Sequence, residues 1–396
     1  MVFSFEQHRP TQALIHLDHL RHNLRVLRGL MPAGAFFCPM VKANAYGHGD
    51  VEVAKALEAE GVGTLGVGLI EEGALLRAAG LRTELLFFGL MDEKGARACL
   101  DSDLIPVLSS WEQAQALKSV MIAGRTVKVH LKFDTGMHRL GFEPAESAAL
   151  VEFFEKNPAF QLSGVMTHLH SGEDADDPKG ASFAQLRLLE TLREPFKKWT
   201  TVSHALNSAG LLNLAKLRAR GSQTLEGVSL LQGARPGLAL YGLSPVEGIE
   251  SLASLKPVMS FRTQIIRIKK VEVGEGVSYG HRWKASRPSW IGVVPVGYAD
   301  GYHRVLSNRA EVLVDGRRVP LVGNVCMDYF MIDLTELVGA GSPSSFLWKP
   351  VTLFGYDSQG NLLHAKELAE KAGTIPWEIL TSVGERVPRV LQGRSE

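Results

Sequence analysis

VKVHLKFDTGMHRLGFEPAESAALVEFFEKNPAFQLSGVMTHLH, residues 127–170, reads as strand, loop, helix, strand. The runs VKVHLKFD (127–134) and LSGVMTHL (162–169) are β-rich, and ESAALVEFFEK between them has a 3.6-residue apolar period. A helix bridging two such runs is a parallel βα unit. The same alternation extends outward in both directions. Strand text occurs at AFFCPMVK (35–42), TLGVGL (64–69), ELLFFGL (84–90) and LIPVLS (104–109), and again at TVSHALN (201–207) and VSLLQGAR (228–235). Helical text separates them, for example VEVAKALEAE, SWEQAQALKSVMIAG and SAGLLNLAKLRAR. Eight strands in this order predict an N-terminal (β/α)8 TIM barrel; an open doubly wound sheet is the alternative and normally uses fewer strands.

Beyond about residue 250 helical text thins out. FRTQIIRIKKVEV, SWIGVVPVGY, EVLVDGRRVPLVG, VCMDYFMIDL and PVTLFGYD predict a C-terminal all-β domain, with Asp315-Gly316 as a hairpin turn. The expected domains are residues 9–248, the barrel, and 249–396, the β domain. QALIHL (12–17) is an extra strand expected to pair with the β domain. Lys+Arg number 43 and Asp+Glu 42, so the chain lacks the basic excess of a nucleic-acid binder. Three scattered cysteines and no CxxC argue for a reducing compartment. The N-terminus lacks the layout of a secretory signal, and no apolar run is long enough to span a membrane. The expected location is the cytoplasm, without nucleic-acid or membrane partners.

Reactive side chains gather at the carboxyl ends of the barrel strands, the face that carries the sites of such barrels. Lys42 ends the first strand, Lys132 and Asp134 the fifth with Arg139 just after, and His168 and His170 the sixth. His204 and Asn207 end the seventh with Ser208 next, and Arg235 and Gly237 end the eighth. Lys42, leaving a buried strand into a glycine-rich stretch, is a candidate Schiff-base lysine; the bland reading is a lysine that snorkels. Ser208 at a helix start and Gly237 in a turn make a candidate anion site, although taken alone they read first as an N-cap serine and a turn glycine. His168-Leu-His170 opens a second reading, a metal-dependent barrel hydrolase, but such enzymes usually place HxH on the first strand. Gly61-Val-Gly63-Thr-Leu-Gly66 follows a helix and opens a strand, the reverse of the dinucleotide order.

VKANAYGHG (41–49), KFDTGMHRLGF, MTHLHSGEDAD, NSAG, ARPGLALYGL, VSYGH, VGYADGY and GNVCMDYFMIDL occur in order. Together they resemble bacterial alanine racemase, a fold type III family dependent on pyridoxal 5′-phosphate (PLP). The resemblance spans about residues 9–390 and implies a barrel followed by a β domain. It implies that Lys42 binds PLP covalently and serves as a catalytic base. It implies that Tyr46, Ser208 and the backbone at Gly237 and Leu238 belong to the phosphate end, with Asn207 also among the cofactor-binding residues. His168 matches the residue packed on the pyridine ring, and Arg235 the donor to its nitrogen. Arg139 matches the arginine at the substrate carboxylate, and Lys132 a lysine that the family often carries carbamylated. Tyr279 matches the second base, contributed across a homodimer interface, and Tyr298 and Met327 match residues that meet the amino-acid substrate there. No metal is implied. An arginine at the ring nitrogen leaves it largely unprotonated, which weakens the electron sink and suppresses side reactions. The implied function is interconversion of L- and D-alanine, supplying D-alanine for peptidoglycan; a broad-specificity racemase of the same fold is the alternative. One departure stands out: Trp377, in TIPWEIL, occupies the entrance position where the family commonly has tyrosine, and indole offers no acceptor oxygen.

Overall fold

The structure, a computed structural model, describes residues 8–177, 179–221 and 233–393. It divides into two units: Leu20–Lys256, and the N-terminal residues up to His19 together with the chain from Pro257 onward.

In the first unit, seven strands run parallel in sequence order: β2 (Thr64–Val67), β3 (Glu84–Phe87), β4 (Ile105–Leu108), β5 (Val127–Lys132), β6 (Phe160–Met166), β7 (Ser203–Leu206) and β8 (Gly233–Ala234). Residues 35–42, expected as the first strand, instead make two isolated parallel bridges, Phe37 to Ala234 and Met40 to Gly66. Pro39 is the physical reason, because it has no N–H and interrupts the ladder. The segment still closes the ring. Cys38 and Met40 donate to the carbonyls of Ala234 and Pro236, and Val41 donates to that of Gly66, each at 2.9 Å. It is therefore the eighth stave, lying between β8 and β2. Cys38, Leu86, Val107 and Met166, each from a different stave, pack into one core cluster. Of the expected strand 228–235, residues 228–232 lie outside the described residues. The helix Leu17–Gly29 has no counterpart in the sequence reading.

The second unit holds a sheet whose order is β10-β13-β16-β15-β14-β17-β9-β1-β19. Its strands are β1 (Gln12–His16), β9 (Met259–Gln264), β10 (Arg267–Val271), β13 (Ser289–Val294), β14 (Glu311–Val314), β15 (Arg317–Val322), β16 (Phe330–Asp333), β17 (Pro350–Tyr356) and β19 (Arg389–Gln392), with β18 (Leu362–Leu363) paired to β17. A separate hairpin joins β11 (Gly276–Val277) and β12 (Trp283–Lys284). β1 lies antiparallel to β9 and parallel to β19. The run FRTQIIRIKKVEV is not one strand: the chain breaks at Ile265-Ile266, and β9 and β10 lie far apart in the order. Asp315 and Gly316 both have positive φ, 48° and 74°, as a two-residue hairpin turn requires. Two helices that the sequence did not announce, Ala365–Ala372 and Pro376–Thr381, complete the unit.

Candidate active site

The chain leaves the closing stave through a left-handed turn. Ala43, Asn44, Ala45 and Tyr46 have φ of 54°, 53°, 50° and 54°, and Gly47 follows at 83°. Left-handed backbone costs an L-residue about 1–2 kcal/mol, so four in succession persist only if held. Amides of Ala45 and Gly47 donate to the carbonyls of Val41 and Ala43, both at 2.9 Å. The buried ring of His48 donates through Nδ1 to the carbonyls of Ala45 and Tyr46, at 3.0 and 2.9 Å. Asn44 Oδ1 accepts from the Asp50 amide at 2.9 Å. Lys42 stands at the root of this turn. Burial, then the Arg139 charge, lowers its pKa below the usual lysine range.

Ser208 begins the helix Ser208–Ala219, which Asn207 caps by accepting from Gly210 N at 2.9 Å. Ser208 Oγ accepts from the amides of Gly237 and Ala239, at 3.0 and 3.2 Å, leaving its own proton to donate outward. Tyr46 lies so close to Gly237 that a Cβ there would sit 2.1 Å from its hydroxyl. Burial pushes the Tyr46 phenol up to about 12, so it remains a donor at neutral pH. Its ring stacks on Tyr241 at 4.9 Å, and Tyr241 donates to the Met40 carbonyl at 2.9 Å. Hydroxyls, a helix N-terminus and a side-chain-free backbone turn together suit a phosphate.

Arg235 is buried and sets the protons around it. Its NH1 donates to His204 Nδ1 and to the His204 carbonyl, both at 2.8 Å. Its NH2 donates to the Thr167 and Ala205 carbonyls, at 2.8 and 3.3 Å, and to His168 Nδ1 at 3.1 Å. Because a guanidinium only donates, His204 carries its proton on Nε2, which lies 2.8 Å from His130 Nδ1. Burial and the Arg235 charge bring His130 down to about 3 and push His168 and His204 well below the usual range. All three rings are neutral, with tautomers dictated by one cation. The Arg235 Nε–H has no partner among the described residues.

Lys132 ends β5 with 6 % of its surface exposed. Burial, then Arg139 and Arg235, brings its amine down to about 8. Asp134 accepts from the amides of Gly136, His138 and Arg139, at 2.9, 3.1 and 3.0 Å, which fixes the loop carrying Arg139. Gln185 ties the neighbouring ends together by donating to Thr135 Oγ1 and the His168 carbonyl while accepting from His170 N.

In the other unit, Tyr279 sits at the tip of the β11–β12 hairpin, 73 % exposed. Ser278 before it has φ 67° and ψ −176°, a region that favours glycine. Asn324 holds this tip: its Nδ2 donates to the Tyr279 carbonyl at 2.6 Å, and its carbonyl accepts from Ser278 Oγ at 2.7 Å. The loops of Tyr298 and Met327 are stitched by Tyr298 N to Cys326 O at 3.0 Å and Ala299 N to Met327 O at 3.1 Å. Trp377 is half-buried in the helix Pro376–Thr381.

The barrel unit thus brings Tyr46 and Ser208 each to Gly237, with Leu238 next in the chain, and Arg235 to His168; Lys42 and Lys132 both lie within the field of Arg139. The β unit links Tyr279, Tyr298 and Met327 through the 324–327 loop. Sequence reasoning missed His130, Gln185 and Asn324. His130 shares a face of β5 with Lys132 and was legible as lumen-facing; Asn324 lies within GNVCMDYFMIDL but acts there through a contact to the Tyr279 backbone, and Gln185 lies in no motif. His168 faces a guanidinium, which disfavours a metal cation, and the described residues contain no cluster of three or more metal-ligating side chains.

Two family models match: "Alanine racemase, N-terminal domain" over residues 15–245 and "Alanine racemase, C-terminal domain" over 258–391. The alanine racemase of Sorangium cellulosum is 42% identical over 394 residues, covering 96% of this chain and 98% of its own length. That of Desulfovibrio desulfuricans is 37% identical over 384 residues, covering 96% and 98%. The crystal structure of alanine racemase from E. faecalis superposes with a TM-score of 0.85 at 32% identity, covering 99% of this chain and 100% of that one.

Proposed function

The chain belongs to the alanine racemase family and interconverts L- and D-alanine; we propose that it does so with PLP bound through Lys42 and with two bases on opposite faces of the substrate. The family generally depends on PLP. The observation that carries the reading for this chain is the donor set around one barrel rim. A lysine of lowered pKa, a hydroxyl and amide pocket, and a buried guanidinium with a spare Nε–H match in kind the aldehyde, phosphate and ring nitrogen of PLP. When bound, PLP supplies the electron sink that acidifies the substrate α-carbon.

The chain's own groups do the rest. Ser208, Tyr46 and the backbone at Gly237 and Leu238 hold the phosphate end, and Asn207 serves the cofactor by capping the helix that carries Ser208. His168, kept neutral, packs the ring. Arg235 keeps the ring nitrogen unprotonated, because a permanent cation with only donors cannot share its site with another N–H. Arg139 takes the substrate carboxylate, and Lys132, carbamylated, orients Arg139. Lys42 removes or returns the α-proton on one face and Tyr279 of the partner subunit does so on the other, with Tyr298 and Met327 beside it. Two bases are needed because racemisation removes a proton from one face and delivers one to the other. Trp377 lines the entrance. The active species is a homodimer. Three free cysteines fit a reducing cytoplasm, and among the described residues no helix is long and apolar enough to cross a membrane.

The test is spectroscopic and chemical. Protein reconstituted with PLP is expected to show a visible band that borohydride abolishes, with the added mass on Lys42. Label on another lysine, or no label, overturns the assignment.

A further inference from the structure

Glu72 lies outside every motif above, three residues into the loop-to-helix junction after β2. Its Oε2 accepts from the amides of Gly68 and Leu69, at 2.7 and 3.0 Å. That alone would be an ordinary capping glutamate for the helix Ile70–Ala78. Its other oxygen goes elsewhere: Oε1 accepts from the amide of Ala43 at 2.6 Å, across 29 positions of sequence. Ala43 is the first residue of the left-handed turn, directly after Lys42.

We propose that Glu72 is a positioning residue for Lys42: a single carboxylate clamps the left-handed turn to the loop beneath the lysine stem and so sets where the amine stands. The floor of that arrangement is Gly68. A Cβ there would lie 3.5 Å from both Cβ and Cδ of Lys42 and 3.6 Å from Glu72 Oε2. The lysine stem therefore runs over the backbone that Glu72 grips with one oxygen, while the other oxygen grips the turn from which the stem departs. The other ties of the turn, from His48, Asn44 and the backbone, use the carbonyls of Val41, Ala43, Asn44, Ala45 and Tyr46 and the amides of residues 45 and 47–50, and leave the Ala43 amide to Glu72. The carboxylate also faces the amine electrically, opposing the burial and the Arg139 charge that lower the Lys42 pKa.

This inference rests on the reading of Lys42 as the reactive lysine, and the experiment separates the two. Apo protein is mixed with PLP, and the rate of formation of borohydride-trapped adduct on Lys42 is followed by mass spectrometry across pH. Glu72→Gln and Glu72→Ala are compared with the wild type; Glu72→Gln keeps one acceptor oxygen for the helix cap if the alanine variant does not fold. At high pH, where the amine is neutral in every variant, capture is expected to slow by about tenfold or more, the scale of a charge-assisted hydrogen bond. The pH midpoint of capture is expected to move down, because a neighbouring anion that favoured the ammonium is gone. Adding Ala45→Gly, which adopts positive φ without steric cost, is expected to restore part of the rate. Unchanged capture rate and midpoint, with only a lower Tm, would make Glu72 a helix cap and overturn the proposal. Absence of adduct on Lys42 in the wild type overturns the lysine assignment and this inference together.

Discussion

Lys132 is a buried lysine that loses its proton early, since burial and two arginines bring its amine down to about 8. A neutral amine adds CO2, whereas an ammonium does not. Carbamylation is therefore expected to rise as pH increases through about 8 and to vanish well below it; the carbamate carbon signal in 13C-bicarbonate measures it, and a signal independent of pH would reject the proposal. Without the carbamate, the lowered pKa has a second consequence. The unfolded chain binds this proton more tightly, so stability contributed at high pH is lost as pH falls from 10.5 towards about 8. Tyr279 gives the sharper chemical test. Tyr279→Phe keeps the ring and removes the base, at a cost of about 10²–10⁴ in racemisation. With Lys42 intact, α-proton exchange in deuterated water is expected to persist for D-alanine and nearly cease for L-alanine. Equal residual exchange from both enantiomers would leave no room for two separate bases.

At the scale of elements, both proposed bases stand on backbone that side chains must hold in place: Lys42 on a left-handed turn, Tyr279 on a hairpin tip with Ser278 at φ 67°. Asn324→Ala removes the amide that donates to the Tyr279 carbonyl at 2.6 Å. A hydrogen bond of this kind contributes about 1 kcal/mol, so exchange from L-alanine should fall roughly fivefold while exchange from D-alanine stays near wild type. An equal fall in both would mean that the variant disturbs the protein generally. These holding contacts explain what the sequence could and could not reveal. Strand ends such as Lys132 and Asn207 were legible because apolar runs stop where polar side chains begin. The left-handed turn was not, because three of its four residues are ordinary alanines and a tyrosine. The break at Ile265-Ile266 was hidden for a similar reason: FRTQIIRIKKVEV contains no glycine or proline to mark it. The helix Leu17–Gly29 went unread although it was legible, since Leu17, Leu20, Leu24 and Leu27 recur at helical spacing and are all buried.

For the whole molecule, the question is whether one chain completes a site. The β unit exposes Tyr279, Tyr298, Met327 and Tyr329, at 73, 43, 53 and 46 % of their surfaces. Large apolar side chains gathered on one loop cluster call for a cover, and the proposed homodimer supplies it. A two-fold dimer makes a definite numerical demand. If each site takes Lys42 from one chain and Tyr279 from the other, then in a mixed dimer of Lys42→Ala and Tyr279→Ala one site carries both natural residues and the other carries neither. Mixed dimers form half of an equal, fully exchanged population, so roughly a quarter of all sites should be restored. Either variant alone should be inactive, and activity should appear on mixing with the time course of subunit exchange, followed by native mass spectrometry of isotopically distinct subunits. If both residues belonged to the same chain's site, each chain would lack one of them in every pairing, and full exchange would restore nothing. Recovery near one quarter therefore selects shared sites, and no recovery at complete exchange selects sites closed within one chain.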